Sequence, residues 1–246
     1  MKSESAALIL ADTVLANALG DSSLAARVVV DVNARARRMS LRVDPINGCI
    51  VLVRPKRASD KLIMTFLAGK AGWIAKHLLN LPPRIAFADG AAVPYRGVDH
   101  VVRLRPDVKG GVWREGVEIF VTGRTEHTSR RLRDWLKAEA RDALTPVVHE
   151  FAKALGVTIT RITVRDTRSR WGSCTRDGKL SFSWRLILAP ESVLTYVAAH
   201  EVAHLKHMNH GPAFWRTVES LVSPDVDWSL AREWLRRSGA AMHRYG

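Results

Sequence analysis

Residues 200–204 read His-Glu-Val-Ala-His, and this short stretch decides which fold we expect. In an α-helix, residues four positions apart lie on one face, so His200 and His204 would present two imidazoles one turn apart. Glu201 lies about 100° round the helix from His200, within reach of water at a shared metal ion. A third histidine, His210, follows six residues after His204. Zinc-dependent peptidases activate water with these residue types at this spacing.

The sequence around this motif favours the helix that the motif requires. Apolar residues recur from 193 to 205 without proline or glycine, and Ser192 is the predicted N-cap. Asn209 and the pair Gly211-Pro212 are typical stop signals. We therefore predict a helix that carries both histidines and ends before residue 212.

Three residues compete for the position of third metal ligand. His210 has the spacing of metalloproteases in which the chain turns after the helix, and it is our first choice. His207 follows His204 by three residues, and Glu219 lies on the next predicted helix, where other enzymes place a carboxylate. Three imidazoles with one open position suit Zn²⁺ better than magnesium or calcium. Glu201 is the predicted general base.

Composition limits the class of protein. The chain has 246 residues, 47% of them hydrophobic, which is enough for one large domain or two smaller lobes. No segment approaches the roughly 18 apolar residues of a membrane span, and residues 1–24 are expected to be a tail rather than a signal peptide. The two cysteines are too few for a disulfide framework, which indicates a cytoplasmic protein.

The net charge of +14 is informative about partners. Basic residues cluster at 35–38, at 54–57, along 130–141 and at 161–170. Such charge attracts nucleic acid or anionic surfaces, although no recognised nucleic-acid motif accompanies it. The alternative function is therefore a nucleic-acid-associated basic protein, or a protease that acts on DNA-bound proteins.

The pattern along the chain predicts an α+β protein with two lobes. Residues 25–125 form the N-terminal β-rich lobe, with a hairpin turn at Asn47-Gly48 and one helix from Asp60 to Leu79. Residues 126–246 form the catalytic lobe. It holds a helix over 128–155 that Pro146 kinks or divides, strands over 157–164 and 180–188, the motif helix, and two short helices. The strand over 180–188 is either an edge strand that binds substrate or a core strand.

Several of these segments also carry a family resemblance. They are Arg170-Trp171-Gly172-Ser173-Cys174, Trp184-Arg185-Leu186, the His-Glu-x-x-His motif, Asn209-His210 and Phe214-Trp215. Together they resemble the YgjP-like metal-dependent hydrolases, bacterial zinc metallopeptidases related to the SprT and WLM proteases, over roughly residues 25–238. The resemblance implies a zincin-like core, a bound zinc and hydrolysis of a protein or peptide substrate. It places His200, His204 and His210 at the metal and Glu201 at the catalytic position.

Overall fold

The computed structural model describes residues 26–44, 48–80, 84–167, 170–223 and 227–246. The chain divides into two compact units, Met1–Arg84 and Ile85–Gly246. Two expectations lie outside the described residues, namely the tail over 1–24 and the Asn47 half of the hairpin turn. Among the helices described, none combines the length and the apolar character that a membrane span needs.

Within the described residues, the first unit contains a small three-stranded sheet and two helices. Its strands are β1 (Val28–Asn33), β2 (Ser40–Asp44) and β3 (Cys49–Pro55), and its helices are α1 (Asp60–Ala68) and α2 (Ala71–Asn80). The strand order is β1-β3-β2, with β1 parallel and β2 antiparallel to the middle strand. Ile50 and Leu52 of β3 are fully buried and pack with Ile63 and Leu67 of α1 in one apolar core.

The single helix predicted from Asp60 to Leu79 is wrong, because the chain turns at Gly69. Ser59 caps the start of α1, since its hydroxyl accepts a hydrogen bond from the Leu62 amide. The Gly69 amide donates to the carbonyl of Thr65 at 3.0 Å, and the Lys70 amide then donates to that of Leu67. The apolar period continues across this break, which is why the sequence pattern conceals it.

The second unit contains two more sheets and the remaining described helices. A four-stranded sheet has the order β4-β5-β7-β6, and a three-stranded sheet has the order β8-β10-β9. The strands are β4 (Ala92–Tyr95), β5 (Val98–Arg105), β6 (Val112–Glu115), β7 (Glu118–Thr122), β8 (Arg161–Arg165), β9 (Gly172–Cys174) and β10 (Lys179–Ser183). The helices are α3 (Thr128–Leu155), α4 (Glu191–Ala203), α5 (Pro212–Leu221) and α6 (Trp228–Met242).

The division between the units lies earlier than the predicted boundary at residues 125 and 126. Val102, Ile119 and Val121 of the four-stranded sheet are fully buried in the same core as Leu132 and Leu136 of α3. Burial of one continuous apolar surface therefore joins this sheet to the second unit.

The helix α3 has the predicted bounds and contains Pro146 without division into two segments. It ends at Gly156, whose left-handed backbone (φ 65°) closes the last turn. The strand predicted over 157–164 starts later, at Arg161.

The strand predicted over 180–188 ends at Ser183, and Trp184–Leu188 form a 3₁₀ helix instead. Ser183 accepts a hydrogen bond from the Arg185 amide and so starts this tight turn. Trp184 is fully buried, and β10 is the middle strand of its sheet, so this segment is a core strand and not an edge.

The turn between β4 and β5 is docked on the start of α4. The amides of Arg96 and Gly97 donate to the carbonyls of Ile187 and Leu188 at 2.7 and 3.2 Å. Gly97 has φ +81°, and a Cβ there would lie 3.0 Å from Pro190. The helix begins after Pro190 without a side-chain cap, so the predicted cap, Ser192, lies inside its first turn. Backbone contacts from the β4–β5 turn thus hold the chain that leads into the motif helix.

Candidate metal centre and active site

The motif histidines lie at the end of α4 and in the turn that follows it. The helix ends at Ala203, but His204 keeps helical dihedral angles (φ −63°, ψ −25°), so it stays on the same face as His200. The chain then turns back, and His210 comes just before Gly211 and the start of α5. One ring nitrogen from each of the three histidines lies within 4.8 Å of the others. The Nε2 atoms of His200 and His210 are 3.0 Å apart.

The other two candidate ligands, His207 and Glu219, lie outside the histidine cluster. The carbonyl of His207 is 3.2 Å from Nδ1 of His204, so it can accept a hydrogen bond from that nitrogen and leave Nε2 of His204 as the electron donor. Glu219 is an exposed residue of α5. Within the described residues, the cluster of candidate metal ligands contains His200, His204 and His210 but neither of these two.

One aromatic ring supports all three imidazoles. Phe214 is fully buried in the first turn of α5, and its ring centroid lies 4.9, 4.7 and 4.6 Å from those of His200, His204 and His210. The start of α5 follows Gly211, with Pro212 in the first turn, where its missing amide hydrogen costs nothing. The stop signal read from Gly211-Pro212 is therefore also the start of the helix that positions the histidines.

The environment favours the uncharged form of His200 and His204. Burial lowers the pKa of His200 to about 3, and the neighbouring charges of His204, His210 and Arg232 add to this effect. Burial also lowers the pKa of His204, against the opposing effect of its hydrogen bond to the His207 carbonyl. A metal ion binds the neutral form of imidazole, so the lowered pKa values of His200 and His204 favour binding of a divalent transition metal by the three converging rings.

Glu201 is buried on the next face of the helix. Its side chain is 6% exposed, and it borders a cavity of about 200 Å³. The cavity is lined by Trp171, Gly172, Tyr196, Val197, His200, Glu201 and Leu235. Burial raises the pKa of Glu201 to about 7, and the positive charge of Arg170 opposes that rise. Glu201 and His200 thus line the same cavity.

The glycine of the Trp-Gly-Ser-Cys segment makes room for this carboxylate. Gly172 is the first residue of β9, and a Cβ there would lie 2.5 Å from Cγ and Oε1 of Glu201. No side chain larger than hydrogen fits unless Glu201 moves. Next to it, Trp171 packs on His243 with a centroid distance of 4.9 Å and also lines the cavity, so it serves both packing and the cleft.

Cys174 also lies close to the site but is an unreactive thiol. Burial raises its pKa to about 11, and the negative charges of Glu201 and Asp177 contribute. The thiolate is therefore scarce at neutral pH, and the group behaves as a small, half-buried side chain.

Tyr196, Trp228 and Arg232 are site residues that the sequence did not identify, whereas Trp215 belongs to the Phe214-Trp215 segment quoted above. Tyr196 stands one helical turn before His200 and lines the cavity, so helical spacing from the motif is a signal that identifies it. Trp215, Trp228 and Arg232 form a stacked group beside His200 and His210, which we call the aromatic wall. Trp228 and Arg232 belong to α6, and only the tertiary fold brings them to the site.

Comparison with known proteins places this site in a family. The model of the family described as "YgjP-like, metallopeptidase domain" matches residues 37–238. Solved structures that align with the chain include the metallopeptidase zymogens abylysin of Pyrococcus abyssi and jannalysin of Methanocaldococcus jannaschii. The first has 21% identity over 42% of this chain and 97% of that one, with a TM-score of 0.34. The second has 18% identity over 38% and 95%, with a TM-score of 0.33. No curated protein sequence matches the chain significantly.

Proposed function

The chain belongs to the YgjP-like metallopeptidase family, and from this premise we propose that it is a zinc-dependent peptidase with a zincin-like core. His200, His204 and His210 hold the metal, and Glu201 is the general base. The observation that carries the proposal is the convergence of three imidazoles beside one buried carboxylate.

Zinc is the metal that this donor set favours. Three imidazole nitrogens leave a fourth tetrahedral position for water or substrate, which is the arrangement of catalytic zinc sites. When bound, zinc supplies Lewis-acid polarisation of the scissile carbonyl and lowers the pKa of water. The His207 carbonyl orients the ring of His204 through a hydrogen bond. Phe214 packs against all three imidazole rings and helps to orient them.

Glu201 moves the proton. Its carboxylate accepts a proton from the attacking water and then delivers that proton to the nitrogen of the leaving amine. Trp171, Tyr196 and Leu235 line the cavity beside this carboxylate and reduce its contact with bulk water. Gly172 sets the position of the carboxylate, because its missing side chain is what allows Glu201 to lie there.

The edge strand β9 is the proposed binding site for the peptide main chain. β9 pairs with β10 on one side, and within the described strands of this sheet it forms the edge next to Glu201. An extended substrate can add to such an edge by main-chain hydrogen bonds. The sequence offered residues 180–188 as a candidate substrate-binding edge strand. Because β10 lies in the middle of the sheet, β9 is the strand whose position suits substrate binding.

The first experiment is metal analysis by elemental mass spectrometry on protein purified without added metal. We expect about one zinc per wild-type chain and almost none in His204→Ala. Loss in His210→Ala but retention in Glu219→Ala and His207→Ala would support His210 as the third ligand. A folded wild-type protein that takes up no transition metal, even when zinc is offered, would overturn the proposal.

The second experiment separates metal binding from catalysis. Glu201→Gln removes the base and keeps the shape, so it should retain zinc and lose at least about a hundredfold of the peptidase rate. The assay is cleavage of a mixed peptide library followed by mass spectrometry. Wild-type turnover in Glu201→Gln would sink the assignment of the base.

A further inference from the structure

Arg232, the one arginine of the aromatic wall, lies at the edge of the candidate active site. The Arg232 guanidinium carbon lies 4.8 Å from the ring centroid of Trp215. The Trp215 indole nitrogen donates a hydrogen bond to the His210 carbonyl at 3.1 Å, and its ring centroid lies 6.0 Å from that of His200. Trp215, on which Arg232 packs, is therefore held against the histidine cluster.

Arg232 differs from the other arginines of α6 in its partners. Arg236 and Arg237 both bind the carboxylate of Glu233, at 2.6 and 2.5 Å. Arg232 makes no ion pair within the described part of the chain, and its side chain is exposed. Its guanidinium group lies instead over Trp215, whose ring centroid is 6.0 Å from that of His200 and 5.8 Å from that of His210.

A second positive charge lies near the base. Arg170 is exposed and directly precedes Trp171, which lines the same cavity as Glu201. It also has no ion-pair partner within the residues that the structure describes. The approach to the site is therefore positive, in a chain whose net charge is +14.

The contact with Trp215 leaves the hydrogen-bonding groups of Arg232 available to a ligand. A guanidinium that stacks on an aromatic ring contacts the ring through the flat face of the guanidinium. The N–H groups lie in the plane of the guanidinium and can still form two parallel hydrogen bonds to a carboxylate. The ring holds the group in place, so less rotational freedom is lost when a ligand binds.

We propose that Arg232 binds a carboxylate of the substrate, so that the site selects peptides with a negative charge close to the scissile bond. This inference rests on the proposed peptidase function and names its substrate class. Arg232 contacts a part of the substrate that does not react, and it therefore determines specificity. The carboxylate belongs either to an acidic side chain or to the C-terminus of the peptide.

The test measures binding without turnover, by fluorescence anisotropy on the zinc-loaded Glu201→Gln protein. Three pools of short peptides carry the same neutral dye: one with glutamate scanned through every position and an amidated C-terminus, one with glutamine in its place, and one with glutamine and a free C-terminus. We expect the glutamate or the free-acid pool to bind about tenfold more tightly than the amidated glutamine pool. Preference for the glutamate pool identifies a side chain, and preference for the free acid identifies the C-terminus. Equal affinity for all three pools would overturn the inference.

Variants of Arg232 separate recognition from structure. Arg232→Gln should remove the preference, whereas Arg237→Gln, which removes the same charge from the same helix, should keep it. Arg232→Glu should reverse the preference toward a lysine-scanned pool. A structural role alone would weaken all pools equally and reverse none of them, and that result would also overturn the inference.

The failure of this inference differs from failure of the proposed function. Zinc content and library cleavage by the wild type test the peptidase directly. Cleavage of all pools with no difference in affinity would leave the peptidase in place and remove the role of Arg232. Bound zinc without any cleavage would remove the peptidase, while the anisotropy comparison would still decide whether Arg232 binds a carboxylate.

Discussion

The two three-stranded sheets of this protein have the same topology and different surroundings. In β1-β3-β2 and in β8-β10-β9, the middle strand comes last in the chain, pairs in parallel with the first strand and antiparallel with the second. The edge strand β2 has five residues, whereas β9 has three and begins with Gly172, against which Glu201 lies. The same strand connectivity thus occurs in both units. The proposed chemistry depends on the absence of a side chain at Gly172 and on the helix α4, which places Glu201 beside it.

The largest expected effect compares the cores of the two units. Phe214→Ala should lower the free energy of unfolding by about 3–5 kcal/mol and Leu67→Ala by about 2–5 kcal/mol, because both side chains are fully buried. Only Phe214 contacts the histidines, so only Phe214→Ala should also weaken zinc affinity, by about tenfold or more. Urea unfolding and competition with a chelator measure the two quantities. Equal zinc affinity in both variants would contradict the supporting role of Phe214.

The next effect compares the two edge strands. Gly172→Ala should displace the Glu201 carboxylate and reduce peptidase activity by about a hundredfold, with zinc content unchanged. Ser40→Ala, at the exposed start of β2, should change neither quantity. Full activity in Gly172→Ala would mean that the site tolerates the shift of Glu201.

A smaller effect concerns acid stability near β8. Burial alone would raise the pKa of Asp166, but its hydrogen bond with Arg185 and the charge of that buried arginine lower it overall. The folded-state pKa lies below the unfolded value, so the carboxylate stabilises the fold at neutral pH, and this contribution is lost as the pH falls through the folded-state pKa. The side chain of Asp166 is 44% exposed, so solvent screens the pair, and Asp166→Asn should cost about 1 kcal/mol at pH 7.

The difference between Asp166→Asn and wild type should narrow below about pH 4, near the unfolded-state pKa. Urea unfolding at a series of pH values measures it. Asp107→Asn breaks an exposed pair with Arg105 and serves as the control, with little change expected at any pH. A constant gap down to pH 2 would contradict the role of the ionised carboxylate.

The smallest effect concerns the thiol at the end of β9. Cys174→Ser should leave the peptidase rate within about twofold of wild type, because a thiol with a pKa of about 11 supplies almost no nucleophile at neutral pH. Alkylation of Cys174 by iodoacetamide at pH 7.5 should be far slower in the folded protein than in the urea-unfolded control. Rapid labelling in the folded protein would show a more reactive thiol than the structure indicates.

The sequence predicted the parts of the molecule that depend on local pattern. The spacing of His200 and His204, the bounds of α3 and the strand character of β1 to β3 follow from periodicity and residue type. The family resemblance is confirmed by the match over residues 37–238. The mixed α+β class is also confirmed.

What the sequence did not predict depends on tertiary contacts. Gly69 breaks a continuous apolar period, and the shared core moves the four-stranded sheet into the second unit. Gly172 lies close to Glu201, and Arg232 lies close to His200, although each pair is about 30 positions apart in the sequence. Nucleic-acid binding by the basic surface stays a prediction, for which DNA retention that declines with salt is the measurement.

The docked β4–β5 turn has a consequence for how this protein can be shortened. A fragment that starts at residue 126 would keep every proposed ligand but would lose the Arg96 and Gly97 amides that bind the Ile187 and Leu188 carbonyls before α4. It would also expose the core face of α3 that covers Val102 and Ile119. Residues 85–125 therefore belong to the same folding unit as the candidate active site, and a fragment that keeps this site intact should begin near Ile85.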